Sequence, residues 1–329
     1  MSGVAVSGER GDASRGSAPG DPAVPSGARK RFGALHGPRV TGRAFGRAAA
    51  VVAVIGPRRT RPAGVLAGAV VLALTATGCG LGDDLGGGGE KITIGIKADQ
   101  PGLGLKAPDG SYTGFDVDVA TYVAEKLGYS ADDIVWKEAP SAQREDLIKN
   151  GDVKFVVATY SINEKRLKEV DFAGPYFLTH QDLLVRGDEV SITKVEDLNS
   201  RKLCSVTGST SAQNVKEKLA PKADLQQLGG YSDCLKGLEE KKVDALTTDA
   251  AILAGYASQQ QHWGKFKLVG LSLSDENYGI GLKKGDTALK EQINKALAQM
   301  VSDGTWRKLV RKHFSLSNYT SEPPPNIQN

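Results

Sequence analysis

From Lys91 onward, short apolar segments of strand length alternate with segments of helical periodicity, and the same order runs through twice. That order constrains the chain more than any other feature, because strand, helix, helix, strand implies a parallel sheet covered by helices. In the first round Ile92, Ile94 and Ile96 alternate as a strand does. Val117, Ala120, Val123, Ala124 and Leu127 then recur at spacings of three and four, with Gly128 as the stop. A second short helix is expected over 141–150, and the apolar run 153–158 has the length and composition of a buried strand. In the second round 202–206 reads as a strand, 211–219 and 232–240 as helices, and 243–247 as a strand. A helix after Asp249, a strand over 266–269 and an extended stretch over 277–282 follow. Leu289, Ile293, Ala296, Leu297, Met300 and Val301 line one face of a closing helix that ends at Gly304. Two α/β packing units are therefore expected, which suits 329 residues once a leader is set aside.

Charge separates this body from what precedes it. Residues 1–78 hold net +8 in a chain whose total is +4, so the remainder is net −4 and offers no cationic excess for nucleic acid. Residues 1–57 mix Gly, Ala, Ser, Pro and Arg without periodicity and bury too little apolar surface to order themselves. Arg58, Arg59 and Arg61, followed by an apolar run from Ala63 to Ala76, read as an export signal. At about 14 residues that run is short for a membrane helix. It ends Leu74-Thr75-Ala76-Thr77-Gly78-Cys79, which resembles a bacterial lipobox and implies that Cys79 is acylated and becomes the first mature residue. An ordinary secretory signal is the alternative, the Arg58-Arg59 pair leaves a twin-arginine route open, and a true start near 51–54 would explain the long preceding stretch.

The glycines within 79–90 make that segment a flexible tether. A phosphate loop would need Gly-Lys-Ser/Thr opening a helix, which Glu90-Lys91-Ile92 does not supply. No apolar stretch outside the leader approaches the roughly 20 residues of a membrane span. The tail 316–329, with Pro323-Pro324-Pro325, is expected to be disordered. Once Cys79 is assigned, Cys204 and Cys234 remain, and two body cysteines of an exported chain are expected to pair rather than stay as buried thiols. His180, His262 and His313 show no partner pattern for Cys–His catalysis, and neither HExxH nor GxSxG occurs. No cofactor or metal is expected.

Gly114-Phe115-Asp116-Val117-Asp118-Val119, followed by Val123-Ala124-Glu125-Lys126-Leu127, resembles the signature of the family 3 bacterial extracellular solute-binding proteins, which serve polar amino-acid ABC transporters. The likeness continues through Ser161-Ile162-Asn163-Glu164-Lys165-Arg166, Val170-Asp171-Phe172, Pro175-Tyr176, Asp197-Leu198, Val243-Asp244-Ala245 and Tyr278-Gly279-Ile280. The resemblance implies a two-lobed α/β fold, a Venus flytrap of the type II periplasmic-binding kind with two crossing segments. Lobe 1 would comprise 91–183 and 277–315, and lobe 2 would comprise 184–276, with ligand held in the cleft.

A free amino acid presents a carboxylate and an ammonium on one carbon, so its site needs a fork of donors with a carboxylate nearby. Arg166 matches the family's α-carboxylate arginine, a role that suits a bidentate guanidinium. Ser161 and Thr159 match neighbouring contact positions. Thr207, Thr210 and Ser211 fall before a helical segment, where free N–H groups favour an anion, although the stretch also reads as a plain cap. Asp249 matches the ammonium-binding aspartate; the alternative is a plain cap for the helix after it. Arg144 aligns with an arginine that grips side-chain carboxylates in acidic-ligand members, while Lys97 and Gln100 lie in a loop that touches the ligand side chain. The surroundings of that loop, Ala98 to Gly104, resemble glutamate-binding lipoproteins of actinobacterial type. It lacks the usual aromatic, for which Tyr160 or Tyr112 would substitute. Glutamate is the expected ligand, with aspartate, glutamine and asparagine open.

The resemblance further implies a monomer, lipid-anchored on the extracytoplasmic face of the membrane, that closes on its ligand and delivers it to permease subunits driven by a separate ATPase. A same-fold enzyme of cyclohexadienyl dehydratase type and a ligand-presenting sensor module are the rival readings.

Overall fold

The computed structural model describes residues 90–315 and 319–327, all within one compact unit, Leu81–Asn329. The leader, Cys79 and the tether up to Gly89 lie outside the described residues. β1 (Ile92–Ile96) buries all three of its isoleucines. A small antiparallel sheet follows, built from β2 (Asp99–Gln100), β3 (Gly104–Lys106) and β4 (Tyr112–Thr113). α1 (Phe115–Lys126) packs Val117, Ala120, Val123 and Ala124 into the core, as their spacing predicts, and buries Phe115 and Val119 as well. β5 (Ile134–Glu138), α2 (Arg144–Lys149), β6 (Phe155–Val157) and α3 (Glu164–Glu169) complete this round, with β5 and β6 flanking β1 in parallel.

β7 (Asp171–Arg186) is a single strand of 16 residues. At about 3.4 Å per residue it is long enough to serve two lobes. Beyond it come β8 (Lys202–Val206), α4 (Thr210–Asn214), β9 (Asp224–Leu228), α5 (Tyr231–Glu239), β10 (Ala245–Asp249), α6 (Ala250–Ala257) and β11 (Phe266–Leu268). β12 (Asp275–Leu282) returns to the first lobe, and α7 (Thr287–Ser302) and α8 (Thr305–Phe314) close the fold. The strand order is β5-β1-β6-β12-β7-β10-β8-β9, with β11 also on β7. β7 pairs with β12 as far as His180, and from Gln181 onward it pairs with β10 and β11. The lobe boundaries expected at 183/184 and 276/277 fall inside these two crossing strands.

Two expectations need correction. The sheet is not parallel throughout: β12 runs antiparallel to β6 and β7, and β10 antiparallel to β7, because the crossing strands enter each lobe against its own strands. Nor is the tail free. The Tyr319 hydroxyl donates to Thr179 Oγ1 at 2.9 Å, its ring packs on Phe177 and Phe314, Pro325 is buried, and Ile327 packs on the core. Aromatic burial outweighs the extended bias of the prolines over 319–327. Cys204 and Cys234 form a disulfide, with Cα atoms 5.5 Å apart, that ties β8 to α5.

Candidate functional site

The strand ends and helix starts of the two lobes meet along one cleft. On the first lobe, Lys97 follows β1, Arg144 opens α2, Thr159 and Ser161 follow β6, and Arg166 lies in α3; all are buried. Arg144 and Arg166 both stack on the Tyr160 ring, at 4.1 Å and 4.9 Å from its centroid. Tyr112 instead packs against Trp136, away from these groups. Arg144 Nη1 donates to the carbonyls of Ala158 and Thr159 at 2.9 Å and 3.2 Å, and its Nε has no partner among the described residues. Gln100, also buried, accepts from Thr159 Oγ1 at 3.2 Å and leaves its Nε2 unpartnered. Lys97 Nζ donates to Ser141 Oγ at 2.8 Å.

Arg166 reaches across the cleft. Its Nη1 donates to Ser161 O at 2.6 Å and its Nη2 to Gly208 O, in the other lobe, at 3.0 Å. Its Nε lies 3.5 Å from Glu145. Gly208 can sit there because it has φ 79° and no side chain: a Cβ would lie 2.8 Å from Ala142 Cα. A cavity of about 440 Å³ opens beside this crossing, lined by Ser141, Glu145 and Arg166 on one side and Gly208, Ser209 and Gln213 on the other.

On the second lobe Asp249 occupies the N-cap position of α6, yet its carboxylate makes no cap bond. It accepts instead from Ser211 Oγ at 3.3 Å and from the Tyr278 hydroxyl at 2.5 Å. Burial, and then the neighbouring Glu276, raise its affinity for a proton above that of an ordinary aspartate. Glu276 is itself buried and accepts from Thr210 Oγ1 at 2.9 Å. Thr207 is exposed, and its N–H donates to Leu228 O at 3.0 Å, extending the pairing of β8 with β9. Ser209 is the cap of α4, accepting from Ala212 N at 3.0 Å.

The first lobe therefore concentrates positive charge. Burial, followed by Arg144, lowers Lys97 to about 7, and burial with Arg144 lowers Arg166 to about 10. The residues that sequence reasoning missed are mostly carboxylates and their partners: Glu145, Glu276, Asp116 and Tyr278. Asp116 and Tyr278 stood inside the family motifs without a role; Glu145 and Glu276 had no signal beyond charge. Among the described residues no group of His, Cys, Asp and Glu could hold a metal, and no helix is long and apolar enough to cross a membrane.

Two α/β lobes that share crossing strands and bury their charged residues where they meet define a solute-binding fold of type II. Residues 92–316 match the bacterial extracellular solute-binding proteins, family 3, and the chain belongs to that family. It is 49% identical over 269 residues to the glutamate-binding protein GluB of Corynebacterium glutamicum, covering 76% of this chain and 90% of that one. It is 40% identical over 225 residues to the glutamine-binding protein GlnH of an ABC transporter in Bacillus subtilis, covering 68% and 81%. Among solved structures, an ancestral arginine-binding protein bound to glutamine superposes with a TM-score of 0.64 at 36% identity, covering 68% of this chain and 97% of that one. These relatives are binding proteins, and this chain is a solute-binding protein rather than an enzyme.

Proposed function

We propose that the chain captures L-glutamate between its lobes outside the cell membrane and delivers it to an ABC permease driven by a separate ATPase. The observation that carries this reading is the buried set Lys97, Arg144 and Arg166, with the two arginines stacked on Tyr160 and Glu145 3.5 Å from Arg166, together with the buried Asp249 of the second lobe. Burying a cation costs several kcal/mol unless it is paired. An incoming dicarboxylate offsets that cost, whereas lysine, arginine or histidine would add to it. The α-carboxylate is assigned to Arg166 and Ser161, the ammonium to Asp249, and the side-chain carboxylate to Arg144 and Lys97, with Gln100 Nε2 as a further donor. The names of the relatives, glutamate-binding and glutamine-binding, agree with this chemistry. Closure follows from the arrangement. Ligand on the first lobe alone meets half of these groups, so the closed form is favoured by the contacts only it can make. Cys79 is the proposed lipid anchor; a Cys79→Ser chain should leave the membrane fraction, and its retention there would remove the anchor.

Calorimetric titration of the twenty amino acids tests the ligand. Glutamate should bind tightest, and Arg144→Ala should weaken glutamate at least about tenfold more than glutamine, since losing one buried charge partner exceeds 1.4 kcal/mol. A preference for a cationic amino acid, or equal losses for both ligands, would sink the assignment.

A further inference from the structure

The Asp116 carboxylate of the Gly-Phe-Asp signature bonds none of the groups assigned to the ligand; it bonds Thr159 and Tyr176. It is fully buried, and its Oδ2 accepts from Thr159 N at 2.8 Å while its Oδ1 accepts from the Tyr176 hydroxyl at 2.8 Å. Thr159 has φ 45°, a left-handed conformation that a β-branched residue rarely adopts and holds only when its surroundings enforce it. In that conformation its hydroxyl lies 2.8 Å from Ala158 O and 3.2 Å from Gln100 Oε1, and its carbonyl accepts from Arg144 Nη1 at 3.2 Å. Beside these contacts, Gln100 Nε2, Arg144 Nε and the Tyr160 hydroxyl are buried donors without a partner among the described residues.

The start of α1 also pins the loop that carries Gln100. Phe115 N donates to Gly102 O at 2.9 Å and Asp116 N to Leu103 O at 3.0 Å. That approach requires glycine at 114, where a Cβ would stand 2.1 Å from Leu103 O. The second aspartate of the signature acts elsewhere, since Asp118 accepts from Lys312 at 2.7 Å and pairs with His313 at 2.6 Å, which fastens α8. An ionised carboxylate is an acceptor at both oxygens, and Asp116 uses both; an asparagine would present an NH2 to one of two donors.

We infer that Asp116 is a positioning residue for amino-acid binding: by holding Thr159 in its left-handed conformation it sets where Gln100 and Arg144 present their free N–H groups. The inference rests on the proposed reading of the cleft. A buried aspartate that merely stabilised the core would lower the melting temperature and leave affinity alone, so affinity is the quantity to read.

The experiment is calorimetric titration of the full chain with L-glutamate and with L-glutamine, alongside thermal melting, for Asp116→Asn, Thr159→Gly, the double variant and Arg166→Ala. Asp116→Asn should weaken both ligands by a common factor of roughly ten, the order expected when one charge-assisted hydrogen bond is lost. In the Thr159→Gly background the same substitution should weaken binding less than about threefold, because glycine takes up the left-handed conformation without help. Wild-type affinity in Asp116→Asn, or an equal tenfold loss in both backgrounds, overturns the positioning role. Should Asp116→Asn not fold, Tyr176→Phe removes only the hydroxyl that orients the carboxylate, and it should weaken both ligands by a smaller common factor; unchanged affinity there overturns the role as well. Arg166→Ala separates the two levels. If that variant keeps wild-type affinity, the cleft reading and the positioning role fall together; if it loses binding while Asp116→Asn keeps it, only the positioning role falls.

Discussion

On the proposed reading, Lys97 is a charge that responds to occupation of the cleft. Buried beside Arg144 and Arg166, it titrates at about 7, where an ordinary lysine holds its proton to 10.5. The unfolded chain thus binds more protons between those values, so this group's share of stability rises with pH from about 7 upward. An anionic ligand favours the charged form, so binding glutamate near pH 8 should draw a proton onto Lys97. Asp249 works in the opposite sense, since its proton affinity is raised by burial and an ammonium there favours proton release. Titration in buffers of different ionisation enthalpy isolates the lysine: proton uptake should be larger for wild type than for Lys97→Met, and larger with glutamate than with glutamine. Identical uptake in the two proteins would remove Lys97 from the site. Sequence reasoning reached Lys97, Arg144, Arg166 and Asp249 through motif position, and the structure buries all four. It missed Glu276 because a carboxylate in a crossing strand meets Asp249 only after the chain has folded back.

Among the elements, those with a single burying face were legible. β1, β8, α1 and α7 follow their periodicity closely. β7 was not legible, since it belongs to two cores at once and carries Thr179, His180, Gln181 and Asp182 in the middle of an otherwise apolar strand. Its buried polar groups are satisfied by tertiary partners: Asp182 accepts from the N–H groups of Gly270 and Leu271, and Gln181 donates to Thr247 Oγ1 at 2.8 Å. No local pattern records such pairing. The Cys204–Cys234 bridge, by contrast, was readable from cysteine number and context. It closes a separation of 30 residues, which the loop-entropy relation values at about 3.5 kcal/mol. Replacing both cysteines with alanine should lower the melting temperature by several degrees without abolishing ligand binding; an unchanged melting curve would show that the bridge does not stabilise the second lobe.

For the whole molecule, closure rests on contacts that span the lobes. Asp99, in β2, accepts from Tyr231 N at 2.9 Å and so caps α5 of the opposite lobe. The Tyr256 hydroxyl donates to the Asp99 carbonyl beside it. Losing a capping carboxylate costs about 0.5–2 kcal/mol, and on the proposed reading that loss falls on the closed form. Asp99→Ala should therefore weaken amino-acid binding by several fold and enlarge the ligand-free radius of gyration in small-angle scattering. Unaltered affinity and radius would mean that the contact persists through opening. The order of strands and helices foretold two lobes, while their mutual seating, made of single bonds between distant segments, was beyond local pattern.

A crystal structure of the chain with L-glutamate is the most direct measurement. The expected result is one amino acid between the lobes, its α-carboxylate on Arg166, its ammonium on Asp249 and its side chain directed at Arg144. A ligand seated in another crevice, or lying in this cleft with its ammonium turned away from Asp249, would contradict it.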